Sequence, residues 1–252
     1  MLFSSQEFLF VFLPLSLAAT FIATRLAGRN AGFLVLVAAS IIFYGWQNPG
    51  YVLLLGASIA VNFAVGVTLE KYPRRRLLAL GVVFNLALIG YYKYAYFLTD
   101  IFNNASGMEM HLGSIVLPLA ISFFTFQQIA YLVDVYRGKV KDTSFLHYCL
   151  FVTFFPQLIA GPIVHHAEVI PQFEKPGNFT FDWDRLRVGA AIFLLGLYKK
   201  IVFADGISVY ANSVFSAAAE TPPTFFEAWG GALAYSFQIY FDFSGYSDMA
   251  IG

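Results

Sequence analysis

The chain has 252 residues, of which 59% are hydrophobic, 19% aromatic and 12% charged, whereas an ordinary soluble domain is about 45–50% apolar and about 25% charged. That balance excludes a soluble globular domain, and fifteen Lys+Arg against fifteen Asp+Glu leave no basic surplus for a nucleic-acid partner. The single cysteine, Cys149, excludes an intrachain disulfide or a cysteine-held metal. In hydrocarbon the backbone must then satisfy itself in helices, because the apolar runs are far longer than barrel strands of about 9–11 residues.

The first apolar stretch of spanning length is Phe8–Ala27. No Lys or Arg precedes it and Glu7 stands at its edge, so it reads as a retained anchor and not as a secretory leader. Ala31–Trp46 and Tyr51–Leu69 follow, joined by the turn Asn48-Pro49-Gly50 as a helical hairpin. A fourth span covers Leu77–Leu98 and a fifth Ile115–Val135, in which Pro118 predicts a kink.

Lys and Arg concentrate in alternate loops: Arg25 and Arg29, then Lys71 and Arg74 to Arg76, then Arg137, Lys139 and Lys141. The connections Gln47–Gly50 and Thr99–Ser114 hold neither residue, which places the N-terminus outside and the basic loops in the cytoplasm. A full crossing by Phe145–Val164 would put Lys175, Arg185 and Arg187 outside, against that rule. With Pro156, Gln157, Gly161 and Pro162 inside it, this segment reads as re-entrant. Val188–Asp205 then crosses outward, Gly206–Phe225 forms an external loop and Phe226–Gly252 returns, with Gly245 expected to interrupt or bend that helix. The expected fold is all-α and polytopic, with about seven crossings plus one re-entrant segment.

Polar groups inside spans are functional candidates because lipid penalises them. In the fifth span Gln127, Tyr131 and Asp134 share one helical face, with Gln128 beside them; interhelical hydrogen bonding and cavity lining suit them equally. Asn62 and Asn85, each isolated, read as packing groups. Lys93, Lys199 and Lys200 stand near the outer helix ends and read as side chains reaching for the interface. The last run places Gln238, Asp242, Ser244, Ser247 and Asp248 in an apolar context, where a proton relay and structural capping both account for the carboxylates. His165, His166 and Glu168 lack a further metal ligand at a familiar spacing, so no metal is assigned.

Several longer motifs occur in order: Phe8-Leu-Phe-Val-Phe-Leu-Pro14, Phe43-Tyr-Gly-Trp46, Gly90-Tyr-Tyr-Lys-Tyr94, Leu117-Pro-Leu-Ala-Ile-Ser-Phe-Phe-Thr-Phe-Gln127 and Tyr131-Leu-Val-Asp-Val-Tyr-Arg-Gly138. Phe155-Pro-Gln-Leu-Ile-Ala-Gly-Pro-Ile163 and Phe241-Asp-Phe-Ser-Gly-Tyr-Ser-Asp-Met-Ala-Ile-Gly252 complete the set. Together they resemble the membrane-bound O-acyltransferase family, in the bacterial branch of alginate O-acetylation and teichoic-acid D-alanyl transfer. The resemblance implies helices and re-entrant segments around a funnel through the cell (inner) membrane. It also implies an acetyl group supplied by a thioester such as acetyl-CoA, with no bound cofactor, and passed to an extracytoplasmic polysaccharide such as alginate with the help of a periplasmic or extracellular transferase.

The family's catalytic histidine lies in a Trp-His context downstream of the segment that ends at Gly252. None of His111, His147, His165 or His166 matches it, so no catalytic residue is carried over. The chain also stops inside an apolar, glycine-rich run. Residues 1–252 are therefore expected to be the N-terminal part of one membrane domain, inactive alone. The candidates for lining the channel or supporting it are Gln127, Gln128, Gln157, Pro162, Gln238, Asp242, Ser244 and Asp248. Broken helices with buried carboxylates also suit a secondary transporter, and a non-catalytic scaffold of a polysaccharide export complex is a further alternative.

Overall fold

The computed structural model describes residues 1–108, 110–141, 144–158, 165–175 and 177–252, and the regular structure among them is helical throughout. A π-helical turn, Phe8–Phe12, runs directly into α1 (Leu13–Ala27), giving the 20-residue apolar stretch the sequence predicts. Gly28, at φ 84°, then separates it by one residue from α2 (Arg29–Gly45). The hairpin partner α3 (Gly50–Lys71) and α4 (Arg75–Ser106) follow. Phe8–Ala27, α3 and α4 are each long and apolar enough to cross a membrane, and α2 is a shorter apolar helix. At 32 residues, α4 outruns its expected span and is about 48 Å long.

The fifth span departs from expectation. Helix α5 covers only Ile121–Tyr136: the chain before it is not helical, and Ala120 sits at φ 59°. Pro118 therefore lies ahead of the helix and does not kink it. Two tyrosines hold this lead-in, the Tyr44 hydroxyl donating to the Leu119 carbonyl at 2.9 Å and that of Tyr51 to the Leu117 carbonyl at 3.4 Å. The expected re-entrant stretch begins as two short helices, α6 (Phe145–Thr153) and α7 (Phe155–Leu158), broken at Phe154. Its remainder, including Pro162, lies outside the described residues. Helix α8 (His166–Glu174) comes next.

Two compact units result: one from Met1–Ala18 with Thr180–Gly252, the other from the chain between them, so that α1 passes from one to the other. The core of the intervening unit gathers Tyr44, Leu55, Phe124, Tyr131, Leu132, Tyr148 and Phe151 from α2, α3, α5 and α6. At the helix break, Ser40 Oγ accepts from the Phe155 amide at 3.1 Å while donating to the Leu36 carbonyl at 2.7 Å. Ser40 is fully buried. Its replacement by alanine orphans the Phe155 amide, and Ser40→Ala is expected to destabilise the unit by about 1–3 kcal/mol, measured as a lowered melting temperature of the purified protein with its helix content preserved.

In the terminal unit, α9 (Trp183–Tyr198), a π-helical turn (Lys199–Ala204) and α10 (Asp205–Ala218) are contiguous. The segment expected as an external loop, Gly206–Phe225, is thus helical as far as Ala218, because its Ser, Ala and Val residues carry no proline before Pro222 to stop the helix. Asp182 caps α9 by accepting from the amides of Asp184 and Arg185. A capping box between Thr224 and Glu227 starts α11 (Phe225–Ile251).

Helix α11 runs unbroken through Gly245, contrary to the expected bend. Gly245 serves close approach instead. A Cβ there would lie 2.7 Å from the Gly196 carbonyl oxygen, and one on Gly196 would lie 2.5 Å from that of Gly245. Gly189 and Gly252 face each other in the same way. The two helices therefore pack with backbones nearly touching, the small-residue solution expected where lipid supplies no hydrophobic drive.

Candidate functional site

In the intervening unit the polar face of α5 is buried, and both of its glutamines are hydrogen-bonded. Gln127 Nε2 donates to the Phe151 carbonyl at 2.8 Å, and Gln157 Nε2 donates to the same oxygen at 2.9 Å. Phe151 lies one residue short of a full turn from the Phe154 break, so the break frees this carbonyl from the intrahelical pattern and the two amides satisfy it. Gln128 is placed differently: its Nε2 donates to Ser58 Oγ at 3.1 Å and its Oε1 accepts from the Tyr148 hydroxyl at 3.2 Å. Asn62 and Asn85 are not isolated but pair with each other, by bonds of 3.2 and 2.6 Å. With Asn62 Nδ2 also 3.5 Å from Ser58 Oγ, a continuous buried polar chain joins α4, α3, α5 and α6.

Sequence reasoning left His165 and His166 unassigned, and the structure gives each a place. His165 Nδ1 lies 2.6 Å from Asp134 Oδ2, tying the start of α8 to α5. Asp134 is 2% exposed, and Lys139 Nζ stands 3.8 Å from its other oxygen. His166 is buried against the rings of Tyr131 and Phe151, with centroids at 5.5 and 5.1 Å, and its Nε2 has no partner among the described residues. Burial, reinforced by nearby His147 and opposed by Asp134, lowers its pKa to about 4.

The folded state thus resists a proton that the unfolded chain accepts near pH 6.5. The stability this contributes is complete above about pH 6.5 and is lost as pH falls toward about 4. His166→Phe, which keeps the ring and removes the titration, is expected to flatten the fall in melting temperature across that window.

The terminal unit holds the other candidates. Lys199 Nζ lies 2.6 Å from Asp248 Oδ2 and donates to Ser244 Oγ at 3.1 Å. Lys200 Nζ bridges Asp242 at 2.7 Å and Asp205 at 2.9 Å. The sequence suggests side chains reaching for the interface; the structure shows both lysines paired with carboxylates of α11. On an α-helix, adjacent side chains diverge by about 100°, and the wider π turn brings both lysines toward one neighbour, a recurrent use of such turns at functional sites. Gln238 joins neither ion pair, and its buried Oε1 has no partner among the described residues.

The predicted residues thus form two groups: Gln127, Gln128 and Gln157 in the first unit, and Asp242, Ser244 and Asp248 in the second. The lysine partners of the second group had a signal in the sequence, since Lys199 and Lys200 interrupt one apolar run as Asp242 and Asp248 interrupt another. The partnership of His165 with Asp134 had none, because 31 residues and a broken helix separate them.

Comparison with known proteins agrees with the ordered motifs. Residues 137–252 match the sequence model of the membrane-bound O-acyltransferase family. Over its full length the chain is 41% identical to the peptidoglycan O-acetyltransferase of Helicobacter pylori, covering 53% of that protein. It is 40% identical, again over its full length, to the probable alginate O-acetylase of Pseudomonas putida, covering 52% of it. Across 72% of the chain it is 27% identical to the teichoic acid D-alanyltransferase of Lacticaseibacillus rhamnosus. The chain spans about half the length of the curated relatives it matches. With apolar helices of crossing length and motifs matched in order, this helical chain is similar to the membrane-bound O-acyltransferase family, whose sequence model its residues 137–252 match.

Proposed function

We propose that the complete protein transfers an acyl group, acetyl, from a thioester such as acetyl-CoA on the cytoplasmic side to a hydroxyl of an extracytoplasmic glycan. Alginate and peptidoglycan are the acceptors that the relatives' names suggest. The observation that carries the reading is identity of about 40% to O-acetyltransferases over the whole chain. Hydroxyl attack on a thioester carbonyl needs a general base, a task suited to histidine near neutral pH. In this reading that histidine belongs to sequence beyond Gly252, and residues 1–252 are the N-terminal part of a single membrane domain, inactive alone. A periplasmic or extracellular transferase completes delivery to the polymer.

The reading includes a topology of about seven crossings plus a re-entrant Phe145–Val164, in the inner membrane, with the N-terminus outside. Twelve of the fifteen Lys+Arg fall in segments placed on the cytoplasmic side, which supports it. A reporter fused after Lys141 should read as cytoplasmic, and an external signal would overturn the topology. Gln127, Gln128, Gln157, Pro162, Gln238, Asp242, Ser244 and Asp248 line or support the channel in this scheme. Gln157 is the most direct test, since it and Gln127 share one carbonyl at the helix break. Gln157→Ala in the complete protein should lower glycan acylation several-fold; unchanged acylation would remove it from the channel's support.

A further inference from the structure

Beside α8 lies a cavity of about 230 Å³ that no residue of the channel scheme enters. Lys139 and Lys141 line it from the segment before α6, His147 from α6, and His166, Ala167 and Glu174 from α8. The lining charge is lopsided. Lys141 has no ion-pair partner among the described residues, and Lys139 has only the 3.8 Å approach to Asp134, whose nearer bond goes to His165. Glu174, the sole acid in the lining, is engaged: its carboxylate lies 3.5 Å from His147 Nδ1, and its carbonyl accepts from Arg29 Nη1 at 2.8 Å.

Helix α8 also begins without a side-chain cap, and its first amides, those of His166 and Ala167, have no partner among the described residues. Uncapped amides and the positive end of a helix favour an anion. Two lysines as mobile point charges suit a phosphate in particular. The volume is below the ~300–1,000 Å³ of sites that enclose a drug-sized ligand, so the cavity suits a phosphate headgroup and not the whole molecule that carries it.

We propose that this cavity binds a phosphate group, and that its occupant is the phosphorylated carrier of the acyl thioester; the second clause rests on the acyl-transfer reading above. An anionic lipid headgroup presents the same chemistry, so the test must separate the two sources. The complete protein is placed in phosphatidylcholine nanodiscs, and the acylation rates of Lys139 and Lys141 by an amine-reactive reagent are followed by peptide mass spectrometry. Coenzyme A should slow both at least fivefold, whereas pantetheine, which lacks the phosphates, should not. In a binding titration, Lys139→Gln/Lys141→Gln should weaken coenzyme A at least tenfold without lowering the melting temperature, because both side chains are exposed.

Protection by phosphatidylglycerol in the nanodisc, with none by coenzyme A, would retain the phosphate site and overturn the carrier as its occupant. Protection by neither, or equal protection by pantetheine, would overturn the site itself. The readout does not depend on acyl transfer. Protected lysines in a protein that acylates no glycan would contradict the proposed function alone, and acylation without protection would contradict this inference alone.

Discussion

Gly196→Ala is expected to leave little folded protein in the membrane, although it adds a single methyl group. That methyl would lie 2.5 Å from the Gly245 carbonyl oxygen, 2.6 Å from the Met249 amide and 2.9 Å from the Asp248 Cβ. Two of the three are backbone atoms of a continuous helix, so no side-chain rotation relieves the clash and α9 must move away from α11. Overpacking costs about 1–3 kcal/mol where neighbours can adjust, and here the adjustment also lengthens the adjacent 2.6 Å bond between Lys199 and Asp248. Gly206, where a Cβ meets nothing within 4 Å, is the matched control. Gly206→Ala should accumulate as wild type while Gly196→Ala falls several-fold in membrane abundance and in melting temperature; equal behaviour would contradict the close packing.

Asp248→Leu is expected to be nearly as damaging, for an electrostatic reason. It strands Lys199 beside a helix that offers only Ser244 in return. Breaking a buried pair from one side costs about 3–5 kcal/mol, whereas replacing both partners by apolar groups is often close to neutral. The pair is only partly buried, with side-chain exposures of 34% and 29%, so the cost falls between that range and the ~0–1 kcal/mol of an exposed pair. The double variant Lys199→Leu/Asp248→Leu should therefore be more stable than Asp248→Leu alone. A double variant that equals the sum of the two singles would show that the contact carries no coupling.

The sequence makes the apolar helices legible because hydrocarbon allows few alternatives: Phe8–Ala27 appears with the expected bounds, α2 and α3 appear close to theirs, and α4 begins near its expected start but runs on to Ser106. What it conceals is backbone detail. Pro118 predicts a kink because tolerated prolines in membrane helices usually kink them, yet tyrosines from α2 and α3 hold Leu117 and Leu119 outside the helix. Gly245 predicts a bend because glycine is a weak helix former, yet its missing Cβ is used for contact with Gly196. The π turn at Lys199–Ala204 has no periodic signature in an apolar run, so the lysines are legible as charges where lipid should be but their convergence on α11 through that turn is not.

Site candidates follow the same division. Gln127 and Gln157 are each legible as amides where lipid should be, and the structure adds that they converge on one carbonyl exposed by a helix break. The basic cavity beside α8 escapes sequence reading because Lys139 and Lys141 look like ordinary cytoplasmic loop charges and become a cluster only when α6 and α8 fold against them.

The central claim is that the complete protein O-acylates a glycan across the membrane. It is tested most directly by measuring ester-linked acetate on the cell-envelope glycans of a strain lacking the gene, then of the same strain carrying the complete gene on a plasmid. Loss of the ester in the first strain and its return in the second is the predicted result. Unchanged glycan acetylation in both strains would contradict it.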